Sequence, residues 1–271
     1  MTVPVTLLMS TYQWPEALGL CLQSVAAQTV MPAEVIVADD GSGEPTRQVV
    51  ERFRRELPVP VVHLWQPNEG FRPNIMRNRA IAAARHPYIV QIDGDVILDR
   101  LFVADHLAFA RKGRFVAGRR VMLPRDVTDQ LCASGRVERL RTPLRSRLLA
   151  SAYQLVCWSG TNVEGVRGCN LAYWREDAIR VNGWDETVTS KGPSDKEFCA
   201  RMVNTGVRAF NLRYHAHQFH LAHGEAGRRI NTPVVRALLE RTIATGKQTC
   251  EVGIAQHGAA GEHDGADLRA T

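Results

Sequence analysis

The stretch YIVQIDGDVILD (88–99) decides how the chain is read. Tyr88, Ile89, Val90 and Ile92 are β-formers in an apolar run, so 88–92 reads as a buried strand. The run ends on Asp93 and Asp95, two apart on an extended chain and therefore pointing the same way. Two like charges on one side repel unless a cation or a donor stands between them. Gly94 removes the intervening side chain and lets the backbone turn or a ligand come close. An acidic turn after a strand explains the same residues, so the rest of the chain has to decide.

Working outward, VTLLMS (5–10), EVIVADD (34–40) and VPVVHLW (59–65) read as three strands. Helical patterns over 15–27, after GSGEPT (41–46) through about 57, and over 74–85 separate them from one another and from the strand at 88–92. Strands alternating with helices at this spacing predict βαβ units: an α/β fold with a mostly parallel central sheet flanked by helices. In such sheets ligands bind beyond the carboxyl ends of the strands. Ser10-Thr11, Asp39-Asp40 and the Asp93/Asp95 pair all fall there.

The second half is more elaborate. The pattern predicts strands over 114–123, 165–174 and 208–223, an Arg-rich, mostly helical insertion over 126–157, and helices over 194–206 and from Pro233 to about Gln248. One domain is expected over 1–225, with a nucleotide-binding half to about 123 and an acceptor-side half after it. A helical extension over 226–256 and a disordered tail over 257–271 follow.

Composition is that of a globular enzyme, with 45% hydrophobic and 23% charged residues. The net charge of +6 suits an anionic partner. The six cysteines form no CxxC pair and read as reduced, core thiols of a cytoplasmic protein. No secretory leader or membrane span is expected. The arginines lack interleaved aromatics, which argues against nucleic acid. Residues 136–149, with Leu140, Leu144 and Leu148 among five arginines, have the pattern of a basic amphipathic segment in peripheral contact with an anionic membrane. Pro143 favours the other reading, a core-facing helix with a solvated face.

The blocks TLLMSTYQWPEALGLCLQSVAAQTVMPAEVIVADDGS, NEGFRPNIMRNRAIAAARHPYIVQIDGD, GCNLAYWREDAIRVNGWDE and SDKEF, in this order, resemble family 2 glycosyltransferases of the GT-A fold. The second half resembles the galactosyltransferase-like part of bacterial polysaccharide and lipopolysaccharide enzymes. The resemblance implies an inverting, metal-dependent transfer from a nucleotide sugar, with UDP the expected nucleotide, to a glycan or lipid-linked saccharide. It implies that Thr11 and Tyr12 line the nucleotide pocket, that Asp39 accepts from the base, that Asp40 supports the turn, and that Arg72 or Arg77 faces the donor. Asp93 and Asp95 would hold the ribose and a divalent metal, Mn²⁺ or Mg²⁺, joined by one histidine of HLAH, with His220 preferred to His223. His215 and His217 read as packing residues. Asp195 takes the place of the catalytic base, and Trp174, Trp184 and Asp185 lie in the acceptor-side blocks. One departure stands out: SKGPSDKEF puts Lys191 where relatives carry a sugar-stacking aromatic, and Ser194 where they carry Glu. A sugar-phosphate nucleotidyltransferase would want a GxGTR-like loop where MSTYQW stands; a non-catalytic saccharide- or nucleotide-binding homologue draws only on the altered SKGPSD.

Overall fold

The structure is a computed structural model that describes residues 3–137, 140–156, 160–223 and 233–258. Its first half repeats strand and helix: β1 (Val5–Thr11), α1 (Pro15–Ala26), β2 (Glu34–Asp39), α2 (Glu44–Glu56), β3 (Val61–Trp65), α3 (Pro73–Ala83) and β4 (Tyr88–Asp93). Proline near the start of α1, α2 and α3 supplies a fixed φ where the helix needs no donor. Then come β5 (Val96–Leu98), α4 (Phe102–Phe109), β6 (Arg114–Ala117), β7 (Val121–Met122), α5 (Arg125–Ser134) and α6 (Arg147–Val156). The chain closes with β8 (Asn170–Trp174), α7 (Arg175–Arg180), α8 (Ser194–Asn204), β9 (Arg208–Asn211), β10 (Gln218–His220), α9 (Pro233–Thr245) and a 3-10 turn, Ile254–His257.

The large sheet runs β3-β2-β1-β4-β8-β6-β9. All its neighbours pair parallel except β8, which is antiparallel to both β4 and β6. Alternation splits the core in two. Leu7, Met9, Val35 and Val37 pack on one face, while Leu8, Ile36 and Ala38 pack on the other. Both faces are covered, which is why these strands read as continuous apolar runs. A small sheet, β5-β10-β7, lies beside α1 and α5 over a third cluster that includes Leu20, Ile97, Leu131 and Phe219.

Four expectations need correction. The strand expected over 114–123 is two strands in different sheets, β6 and β7. The one expected over 208–223 is likewise β9 and β10. Gly118 marks the first break: a Cβ there would lie 2.3 Å from the Asn170 side chain, so only glycine lets the chain leave the large sheet at that point. Tyr214 (φ 65°) and Ala216 (φ 48°) make the second corner with left-handed backbone. Of 165–174 only the last five residues are strand. Residues 140–146 are not helical, so a helix over 136–149 is not formed. That segment is strapped to α4 instead: Thr142 donates to Asp99 at 2.9 Å, and Arg145 pairs with Asp99 and Asp105. Leu140 packs on the third cluster, while Leu144 and Leu148 stay exposed. No helix among the described residues is long and apolar enough to cross a membrane. Cys157 and residues 259–271 lie outside the described residues; His257, expected to begin the tail, is ordered against Glu186.

Candidate active site

Thr11, Asp39 and Asp93 end β1, β2 and β4, three strands of one parallel set, so they share one edge of the sheet. Gly94 donates to the Ser10 carbonyl at 2.7 Å, and a Cβ on it would lie 3.0 Å from Thr11 Oγ1. This close approach holds the Asp-Gly-Asp turn against the end of β1. β5 continues from the turn and pairs with β10, and Leu221 donates to the Asp95 carbonyl at 3.0 Å. The small sheet thereby carries the histidines onto Asp95.

Asp95, His220 and His223 form a candidate cation site, with ligand atoms all within 4.8 Å of one another. His223 Nε2 lies 3.0 Å from Asp95 Oδ2, and His220 Nε2 lies 3.5 Å from Oδ1. Nδ1 of His220 sits 2.9 Å from the Leu221 carbonyl oxygen, so it carries the proton and donates, leaving a lone pair on Nε2. Oδ1 of Asp95 is buried and takes no hydrogen bond. A carboxylate with one orphaned oxygen toward His220 and the other on His223 fits a divalent cation. Burial would push Asp95 up, but above all the hydrogen bond from His223 holds it below the ordinary range. Burial and the neighbouring Asp95 push Asp93 up.

Arg77 of α3 is the cation at this edge. It donates to Ser10 Oγ (3.3 Å) and Asn74 Oδ1 (3.0 Å), comes to 3.9 Å from Asp93, and lies over the Trp184 ring at 4.7 Å. Arg72 stands just before α3 instead, its guanidinium pairing with Glu69 and donating to the Pro67 carbonyl. Tyr12 is half exposed, its hydroxyl accepting from Asn68 at 3.1 Å.

Asp195, in the first turn of α8, accepts from the Gly168 N–H (3.0 Å) and from the Lys196 N–H (2.8 Å). Burial raises its pKa, against those two bonds and the charges of Arg167 and Arg77. Arg77 thus acts on both Asp93 and Asp195, which joins the two halves of the expected site.

Several expected contacts are not offered. Asp39 is fully buried: Oδ1 accepts from Ser42 N at 2.8 Å, and Oδ2 sits 3.0 Å from His63. It holds the β2 turn and presents no atom to a base. Trp184 is also fully buried, stacked on Phe198 at 4.6 Å, and supports Arg77 from below. Asp185 closes its own turn on Thr187. Trp174 pairs with Tyr88 at the far end of β4, because β8 runs antiparallel and meets the ligand edge with its start. His223 ranked below His220 in sequence, yet the structure brings both to Asp95. Arg120, which the sequence did not single out, has an electrostatic hold on Asp93.

The glycosyl transferase family 2 model matches residues 6–158, and the N-terminal domain of galactosyltransferase matches 159–224. Chondroitin synthase of Escherichia coli is 25% identical over 74% of this chain and 32% of its own length. Hyaluronan synthase of Pasteurella multocida is 29% identical over 39% of this chain and 11% of its own. The chain therefore spans about a third or less of these relatives. Among solved structures, S. aureus TarS residues 1–349 with UDP-GlcNAc has a TM-score of 0.60 at 19% identity, covering 94% of this chain and 69% of that one. The mannosyltransferase PcManGT from Pyrobaculum calidifontis, with GDP-Man and Mn²⁺, has 0.59 at 19%, covering 83% and 59%. Their fold is the GT-A fold derived above. With more than half of its length matched by one family model, the chain belongs to the family 2 glycosyltransferases, and it is a transferase enzyme.

Proposed function

We propose that this enzyme transfers a sugar, with inversion, from a nucleotide sugar to a saccharide hydroxyl, and that it depends on a divalent cation at Asp95, His220 and His223. The observation that carries the reading is that three-residue cluster, a carboxylate with an orphaned oxygen gathered with two imidazoles. A hard cation held there would offset the negative charge that develops on the departing diphosphate. The residues of the chain supply the rest. Arg77 faces the same charge and orients Asp93. Asp195 takes the proton of the acceptor hydroxyl as the new glycosidic bond forms on the face opposite the bond that breaks. A uridine nucleotide is the proposed donor handle, supported by the UDP-GlcNAc complex of the structural relative. The acceptor is a glycan or lipid-linked saccharide, in keeping with the polysaccharide synthases among the relatives.

The test is release of UDP from UDP-sugars presented with saccharide acceptors. Chelation with EDTA should abolish it, and Mn²⁺ or Mg²⁺ should restore it. Full activity in excess chelator would overturn the metal role and leave Asp93 and Asp95 as a structural turn.

A further inference from the structure

Gly168 is the residue whose N–H holds Asp195, and an arginine approaches on each side of it. Arg167 precedes it in the chain, and its guanidinium is anchored through one nitrogen to the carbonyls of Val166 (2.7 Å) and Glu164 (3.4 Å). Arg120 comes from the β6–β7 connection and reaches Sγ of Cys169, the residue after Gly168, at 3.8 Å. That connection is pinned, because Asn170 donates to the Arg119 carbonyl at 2.8 Å. Among the described residues neither Arg120 nor Arg167 has a carboxylate within 4.0 Å. Arg120 is exposed and Arg167 half-buried, so both keep donors for a ligand.

The ordinary explanation is that they offset the acids of the site. Arg120 does act on Asp93 and Arg167 on Asp195 at a distance, but each acid also has nearer partners: Arg77 comes to 3.9 Å from Asp93, and Asp195 accepts two backbone N–H groups. The acid of the nearby rim, Glu164, is tied to Lys196 at 2.5 Å. Lys191 is exposed, and its charge acts on His223. Arg120, Arg167 and Lys191 thus give this side of the candidate site a positive character.

We infer that the acceptor is anionic, and that Arg120 and Arg167 take a carboxylate, sulfate or phosphate carried on or next to the sugar whose hydroxyl faces Asp195. The inference rests on the transferase reading of the Asp195 side. A guanidinium suits all three groups, because its planar fork donates two parallel hydrogen bonds to their oxygens.

The test uses the full chain loaded with Mn²⁺ and UDP. Calorimetric titration compares an oligosaccharide of alternating glucuronate and N-acetylhexosamine with the same oligosaccharide after its carboxyls are reduced to alcohols. Sulfated and phosphate-bearing oligosaccharides form two further arms that separate the sources of charge. At least one charged form should bind roughly ten- to a hundredfold tighter than its neutral counterpart, the range of one charge-assisted contact. The preference should weaken as salt rises. Arg120→Gln and Arg167→Gln should each shrink the charged-to-neutral ratio, while Arg47→Gln, on distant α2, should leave it alone; thermal unfolding checks that each variant is folded. Equal binding of charged and neutral forms, or no binding of any charged form while UDP still binds, overturns the inference. Failure to bind UDP with Mn²⁺ would count against the transferase reading itself, so the two failures are distinguishable.

Discussion

Asp195 meets the two physical conditions of a general base: it is positioned, and it is tuned. Two backbone N–H groups fix its carboxylate, so its orientation does not depend on a ligand. Burial raises its pKa, which makes the carboxylate a better proton acceptor than an exposed one. The sign of the pH dependence follows. The base works only when ionised, so kcat should hold above the raised pKa and fall as the pH drops through it. That acid limb should sit higher than the usual aspartate range. Asp195→Asn keeps the shape and removes the base, so kcat should fall about 10²–10⁴-fold with donor affinity preserved, and the residual rate should lose the acid limb. A near wild-type rate in Asp195→Asn would move the base to another acid. At this scale sequence carried the reading unevenly. Asp93 and Asp95 could be placed at the ligand-binding edge because an apolar strand pattern ends on them, whereas Asp195 was singled out only through the family resemblance. The base contact expected of Asp39 is not visible in the structure, where both of its oxygens already have partners; adjacent acids at a strand end point opposite ways, and nothing local says which one the neighbouring strand covers.

Helix α3 joins the two halves of the site through one face. Asn74, Arg77 and Asn78 are spaced i, i+3, i+4 and therefore project together. Asn74 donates to the Asp185 carbonyl at 2.9 Å, and Arg77 covers Trp184. Asn78 accepts from the Trp184 N–H (2.7 Å) and donates to the Trp184 carbonyl and to Glu186. Fully buried, Asn78 does for this loop what a β-ladder would do. Asn78→Ala strips the partners from two buried backbone groups, and we expect a loss of about 2–4 kcal/mol in urea unfolding. Because Trp184 supports Arg77, kcat should fall as well in the fraction that remains folded. A change under about 1 kcal/mol would show that water replaces the amide at no cost. None of this was legible in the Ala-rich pattern of 74–85, since an asparagine inside a helix reads as surface until its partner loop is in place. The split strands share that cause. An apolar run reports burial and not the sheet it joins, although Gly118 was a visible sign of the first break.

Over the whole molecule, local patterns carried the parallel half well, because βαβ units are built from neighbours in sequence and short connections leave few ways to pair them. The second half is held by contacts between distant segments, and there the pattern gave elements without their arrangement. The buried pair Glu197–Arg201 is the clearest case. In sequence it is an ordinary i, i+4 pair on α8. In the structure Arg201 is fully buried, pairs with Glu197 at 2.9 Å, and donates to the carbonyls of Val181 (2.6 Å) and Gly183 (2.7 Å). Glu197 in turn accepts from Thr242 of α9 at 3.0 Å. One charge pair therefore fastens α9 and the turn before Trp184 to the helix that bears Asp195. Removing one partner leaves a bare charge in the interior, so Arg201→Met should cost about 3–5 kcal/mol in urea unfolding. Removing both charges should recover much of that: Arg201→Met with Glu197→Leu should be more stable than Arg201→Met alone, with about 1–2 kcal/mol still missing for the unpaired carbonyls and hydroxyl. If the double variant is no better than the single one, the pair acts through its hydrogen bonds to the turn rather than through charge, and the interior at α8 is wetter than its burial implies.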